Sequence, residues 1–262
     1  MRMRRLAAAT TAALAVLGLL TTPGTAAASH SWGGYHWART ANPFTVELDN
    51  NLTSAWTSYL STASSDWKSS SVLDTSIRTG SFGSRTSCTP ASSHVEVCNA
   101  AYGSTGWLGI ASISVTGGVH ITSAYVKIND TYFAQAQYNT VPYKHLVMCQ
   151  EVGHTFGLDH QDTNQTNANL GTCMDYTRNP AGPPSNEHPN SHDYAQLQTI
   201  YSHTDSSSTT LAPSGPALAG TDSADAAGTW GTRISGADRQ GAATYQRDLG
   251  NGRQVITFVL WA

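Results

Sequence analysis

The sequence predicts an α+β fold, and three observations point to it. Apolar residues alternate at Phe44, Val46 and Leu48, the period of a strand, and then recur at helical spacing through Leu52, Ala55, Trp56, Tyr59 and Leu60. Two apolar, β-branched runs, 107–115 and 119–128, are separated by little more than Gly117-Gly118, as in a hairpin. A second helical pattern begins at Val141, with Pro142 in its first turn and Leu146, Val147, Met148 and Val152 at its apolar positions.

Taken in order, the chain opens on Arg2, Arg4 and Arg5, an Ala- and Leu-rich stretch over 6–20, and Ala26-Ala27-Ala28. This is the layout of a secretory signal, and the stretch is too short and Ala-rich to favour a membrane span. A strand is expected over 37–48, a helix after the capping residues Asp49 to Asn51, and a short strand over 72–78. The Ser-, Thr- and Gly-rich segment 81–101 reads as loop or hairpin. Beyond the helix that starts at Val141, a long loop covers 159–190, and a last helix over 193–202 places Tyr194, Leu197, Ile200 and Tyr201 on one face. From residue 204 the composition turns to Ser, Thr, Ala, Gly, Pro and Asp, and alternation resumes over 242–261 around Gly250-Asn251-Gly252. The expected organisation is a signal at 1–28, one domain at 29–204, a flexible linker at 205–228 and a terminal β-hairpin extension at 229–262, able to add to the main sheet.

Three of the 14 basic residues lie in the signal, so the exported chain carries 11 basic against 17 acidic residues, a net charge of −6. That balance argues against a nucleic-acid partner. No other segment is long and apolar enough to span a bilayer, so a secreted, extracellular monomer is expected. The four cysteines, Cys88, Cys98, Cys149 and Cys173, favour disulfides in an exported protein, with three pairings open. The preferred set joins Cys88 to Cys98, closing a short loop, and Cys149 to Cys173.

The chemistry concentrates in Gln-Glu-Val-Gly-His-Thr-Phe-Gly-Leu-Asp-His, residues 150–160. On a helix, residues four apart differ by about 40° of rotation, so Gln150 and His154 share a side, with Glu151 adjacent. Gly157 can adopt the left-handed conformation that ends a helix and returns the chain, bringing His160 toward the same point. Three protein ligands would leave a fourth position for water. His145, about 180° from His154, projects from the opposite side. Asp162 is a candidate to reach the metal itself or a histidine's second nitrogen.

This segment resembles the metzincin signature H-E-x-x-H-x-x-G-x-x-H, and is most similar to its matrixin-type members, with Gln150 in place of the first histidine. Cys173-Met174-Asp175-Tyr176 is similar to the Met-turn of that family. The resemblance implies a zincin-like catalytic domain: a twisted, mostly parallel sheet with an antiparallel edge strand, a backing helix, an active-site helix and a C-terminal helix. It further implies zinc held by Gln150, His154 and His160, Glu151 as general base, Met174 beneath the metal and Tyr176 near the oxyanion. The activity implied is hydrolysis of a polypeptide, laid by β-augmentation along the edge strand that starts at Gly106-Trp107-Leu108-Gly109. Calcium is common among relatives of that family, and no acidic ligand cluster in this sequence gives it a place. The competing reading is a non-catalytic protein of the same shape whose cleft binds a polypeptide or glycan. A serine hydrolase has no Gly-x-Ser-x-Gly elbow to support it.

Overall fold

The computed structural model describes residues 30–80, 85–210, 227–237 and 240–262. The signal expected at 1–28 and most of the linker expected at 205–228 lie outside the described residues.

The chain builds an α+β fold on one mixed sheet. Strands β1 (His36–Trp37), β2 (Phe44–Asn51), β3 (Leu73–Thr79), β4 (His94–Ala100), β5 (Trp107–Thr116) and β6 (His120–Asn129) are followed by β7 (Thr232–Ala237), β8 (Gln240–Gly250) and β9 (Arg253–Trp261). The sheet order is β3-β2-β4-β6-β5-β9-β8-β7, with β1 pairing β6. Strands β3, β2, β4 and β6 run parallel, and β5 runs antiparallel to β6. Up to β5 this is the layout that the resemblance implies.

Helices α1 (Ser54–Trp67) and α3 (Val141–His154) cover one face, α2 (Asp130–Phe133) follows β6, and α4 (Ser191–Ile200) closes the domain. Trp56, Leu60, Ala63 and Trp67 line the buried side of α1, and the Trp67 indole N–H donates to the Cys149 carbonyl of α3 at 3.1 Å. The opposite face carries an aromatic cluster of Trp107, Tyr125, Trp230, Tyr245 and Trp261 beside the Cys88–Cys98 disulfide. The second disulfide joins Cys149 to Cys173.

Segment 81–101 departs from expectation, because its second half is β4, a central strand. A strand flanked by parallel neighbours is buried on both faces and so shows no alternation. Here Glu96, Cys98 and Asn99 interrupt the apolar run as well, and all three are buried. Burial and then the neighbouring Asp49 push the Glu96 carboxyl up from 4.5 to about 8, although Asn51 Nδ2 donates to it at 2.7 Å. A carboxyl raised on folding stabilises the folded state below its ordinary value, and that contribution is lost as pH rises through the folded value. Urea titrations from about pH 5 to about pH 9 are expected to show a loss on the order of 1–3 kcal/mol, moderated by solvent and by charge shared with Asp49. Glu96→Gln should flatten that profile, and an unchanged slope in the variant would assign it elsewhere.

The last helix starts two residues earlier than expected, at Ser191, because Asn190 and Asp193 form a reciprocal capping box. The other oxygen of fully buried Asp193 accepts from Gln161 Nε2 at 2.9 Å and lies 3.0 Å from His30 Nε2. Thus α4 anchors both the loop after α3 and the N-terminal segment.

Candidate metal centre

Helix α3 starts at the N-cap Thr140, whose hydroxyl accepts from the Tyr143 N–H, with Pro142 in the first turn. All its residues from Leu146 to His154 are buried, including Gln150, Glu151 and His154 at 1 % exposure each. The helix ends at His154, and three turn hydrogen bonds carry the chain round to Gly157. Gly157 has φ +91° and lies so close to the Tyr35 carbonyl that a Cβ would collide with it. The expected return therefore occurs, and the backbone of the 32–35 segment holds it.

The return brings His160 onto His154, with their Nε2 atoms 3.0 Å apart. The Nδ1–H of His154 donates to the Leu158 carbonyl at 2.9 Å, and His160 Nδ1 lies 3.3 Å from Asp159 Oδ1. Each ring thus commits its Nδ1 proton to an oxygen, so two neutral imidazoles would point bare Nε2 lone pairs at one another. A shared cation resolves that repulsion, since zinc–nitrogen bonds of about 2.0–2.1 Å at tetrahedral angles place two nitrogens roughly 3.3 Å apart. Burial, then the nearness of His160, holds the His154 pKa well below 6.5, which keeps this imidazole available as a ligand.

Gln150 is oriented by its amide nitrogen, which donates to the Cys173 carbonyl at 2.8 Å. Its Oε1 is buried with no hydrogen-bond partner among the described residues, and the same holds for both oxygens of Glu151 and for the Tyr176 hydroxyl. A buried polar atom left unpaired costs about 1–3 kcal/mol, and these four atoms belong to three of the residues singled out in the sequence. Burial drives the Glu151 carboxyl well above 4.5. Burial, then the nearness of Glu151, likewise drives the Tyr176 phenol well above 10.0. The Tyr176 ring lies 4.5 Å from that of His160. The donors suit a cation: two imidazoles with carbonyl or carboxylate partners behind them, and an amide oxygen that the protein leaves unpaired.

Two glycines make the room. A Cβ on Gly153 would lie 2.8 Å from Met174 Sδ, so Met174 packs directly against α3. A Cβ on Gly109 of β5 would lie 2.6 Å from Glu151 Oε1 and 2.9 Å from its Cγ. Gly109→Ala is therefore expected to displace Glu151 and to cost about 1–3 kcal/mol of stability. Thermal melts read the stability, and an unchanged midpoint would show that Glu151 moves aside freely.

Asp162 does not serve a histidine. Its carboxylate accepts from the Asn164 N–H at 2.7 Å and from Asn167, turning into its own loop, while Asp159 backs His160 instead. Asp159 sits inside the motif, and its adjacency to His160 was the available signal. His145 packs against Tyr59, away from the centre. The expected substrate edge is also corrected: β5 is not free, because β9 pairs with it antiparallel from Trp107↔Trp261 to Val115↔Gln254. Phe258 of β9 stacks on His154 with ring centroids 3.8 Å apart and planes 17° apart. What remains open is a cavity of about 1170 Å³ lined by Gln150, His160, Tyr176 and, from the C-terminal strands, Ala242 and Leu260.

Among the described residues, one group of His, Cys, Asp or Glu side chains has metal-ligand spacing: His36, His203 and Asp205. It is separate from the α3 centre, whose Gln150 belongs to none of those residue types.

No protein-family model matches the chain, and no curated protein sequence matches it. Solved structures do match, among them high choriolytic enzyme 1 (HCE-1), a hatching-enzyme zinc protease from the medaka fish Oryzias latipes. The TM-score is 0.36 at 10 % identity, over 67 % of this chain and 98 % of that one. At that score the likeness leaves the chemistry to this chain's own residues.

Proposed function

We propose that this protein is a secreted zinc-dependent endopeptidase of metzincin type, with Gln150, His154 and His160 as ligands and Glu151 as general base. The observation that carries this reading is the convergence of unpaired acceptors: two Nε2 atoms 3.0 Å apart, the orphaned Gln150 Oε1, and a Glu151 carboxyl without a partner among the described residues. Zinc bound there would supply Lewis-acid activation of a peptide carbonyl and of water. Glu151 takes the proton from the attacking water and passes it to the leaving amine. Tyr176 donates its hydroxyl hydrogen to the oxyanion that forms on the carbonyl. An amide oxygen is a neutral and poorer ligand than imidazole, so zinc affinity below that of a three-histidine site is expected.

Export is supported by the signal-like stretch over 1–28 and by two disulfides, which persist in oxidising compartments. Among the described residues no helix is long and apolar enough to cross a membrane. The same reading makes β9 an internal occupant of the edge along which a peptide substrate would lie.

The test is elemental analysis of the purified protein beside Gln150→Ala and His154→Ala. About one zinc per chain lost in both variants supports the reading, as does a gain in affinity with Gln150→His. If both variants keep the wild-type zinc content, the α3 centre is not a metal site, and the non-catalytic binding protein becomes the better reading.

A further inference from the structure

A second set of ligating atoms lies away from α3. His36 stands on β1, and His203 and Asp205 follow α4, with one ligating atom of each within 4.8 Å of the others. We infer that His36, His203 and Asp205 form a separate divalent-metal site of zinc type that fastens the segment after α4 to β1. The inference does not rest on the reading of the α3 centre.

The geometry argues for it atom by atom. His36 Nε2 lies 3.2 Å from His203 Nε2 and 3.6 Å from Asp205 Oδ1, and His203 Nε2 lies 3.7 Å from the same oxygen. The Nδ1–H of His36 donates to the Gly34 carbonyl at 2.8 Å, so a neutral ring turns a bare lone pair toward both neighbours. A lone pair facing a carboxylate is repulsive, and a cation between them reverses the sign. Asp205 is fixed from behind, since Oδ2 accepts from Arg39 Nη1 at 2.8 Å and from the Arg39 N–H at 3.2 Å. Arg39 is only 1 % exposed, and its guanidinium also lies 4.8 Å from the Tyr201 ring centre. That pairing fixes Oδ2 and leaves Oδ1 facing the imidazoles.

An oxygen behind a ligating imidazole and a buried cation behind a carboxylate are the supports that orient metal ligands. Two imidazoles and one carboxylate suit zinc and leave a fourth position for water. His120 Nε2, 3.2 Å from Asp205 Oδ1, steadies the carboxylate from the β6 side. The His203 side chain is half exposed, which gives an ion a way in.

The ion would be structural. The 205–209 segment already bonds to the residues just after β1: Asp205 N–H donates to the Arg39 carbonyl at 2.8 Å and Thr209 N–H to the Ala38 carbonyl at 2.9 Å. The Trp37 indole N–H in turn donates to the Thr155 carbonyl, just past the end of α3, at 2.9 Å. Metal at His36 would thus brace the turn that carries His154 to His160.

The experiment strips the full-length protein with chelator, dialyses it against zinc, and counts zinc per chain in three variants checked for folding by circular dichroism. His154→Ala/His160→Ala disables the α3 centre, His203→Ala removes the half-exposed ligand of the second site, and the triple variant removes both. The expected result is about one zinc in the double variant, none in the triple, and a zinc-dependent rise in melting temperature in the double variant alone. Cobalt in the double variant should give visible bands that disappear with Asp205→Asn. A double variant without zinc, or a triple variant that keeps it, overturns the inference. Wild-type protein whose single zinc survives His203→Ala and is lost with His154→Ala also overturns it, while leaving the proposed function standing.

Discussion

On the proposed peptidase reading, Phe258→Ala is expected to raise cleavage of an unstructured peptide by about 100-fold, because the side chain it shortens helps hold β9 against β5. From Val255 to Trp261, β9 buries Val255, Ile256, Phe258, Val259, Leu260 and Trp261, each exposed by 6 % or less. Truncating a buried phenylalanine costs about 3–5 kcal/mol, and each 1.4 kcal/mol shifts an opening equilibrium tenfold. A complementary variant closes the edge instead. Ser112 and Thr257 are opposite one another on β5 and β9 with side-chain oxygens 3.1 Å apart, so Ser112→Cys/Thr257→Cys places two thiols where a disulfide can form. Combined with Phe258→Ala, that bridge should return cleavage to the basal level until reductant is added, with the Phe258→Ala protein under the same reductant as control. If Phe258→Ala keeps its zinc and shows no gain, β9 is part of the fold and not a substitute for substrate.

Glu151→Gln carries the second large effect. The amide keeps the shape of the side chain and cannot accept the water's proton, so kcat/KM should fall by about 10²–10⁴-fold while zinc content stays at the wild-type level. Stability should not fall, because the change replaces a fully buried, unpartnered carboxyl with a neutral group. Measured together, these separate a lost base from a lost fold. Retained cleavage would mean that some other group takes the proton, and the mechanism proposed for Glu151 would be wrong.

The α+β framework was legible because its amphipathic elements keep their periods: Phe44, Val46 and Leu48 on β2, Trp56, Leu60 and Trp67 on α1, and the paired runs of β5 and β6. Strand β4 was not, since burial on both faces erases alternation and Glu96, Cys98 and Asn99 carry polar or ambiguous signals. At the candidate centre, the spacing of residues 150 to 160 was enough to expect His154 and His160 together, and the structure brings their Nε2 atoms to 3.0 Å. The amide orientation of Gln150, the backing of His160 by Asp159, and the contact of Gly109 with Glu151 depend on tertiary neighbours that no local pattern encodes. The His36, His203 and Asp205 group was hidden for the same reason. His203 and Asp205 are two residues apart, but His36 lies 167 residues from His203, and each taken singly looks like an ordinary surface or hydrogen-bonded residue.

The pairing of β9 with β5 also orders events in time. Ser112 and Thr257 meet across 145 residues, whereas the β5–β6 turn and the α3 return are local. Contacts between distant segments form slowly, and this one has to wait until the strand around residue 257 has been synthesised. A chain emerging from a ribosome therefore passes through a stage in which His154 and His160 can already be assembled while β9, whose Phe258 packs on both rings, has not yet been made. During that interval the edge of β5 is open to any extended segment nearby, including another nascent copy, so the rate of synthesis relative to folding decides which strand reaches it first.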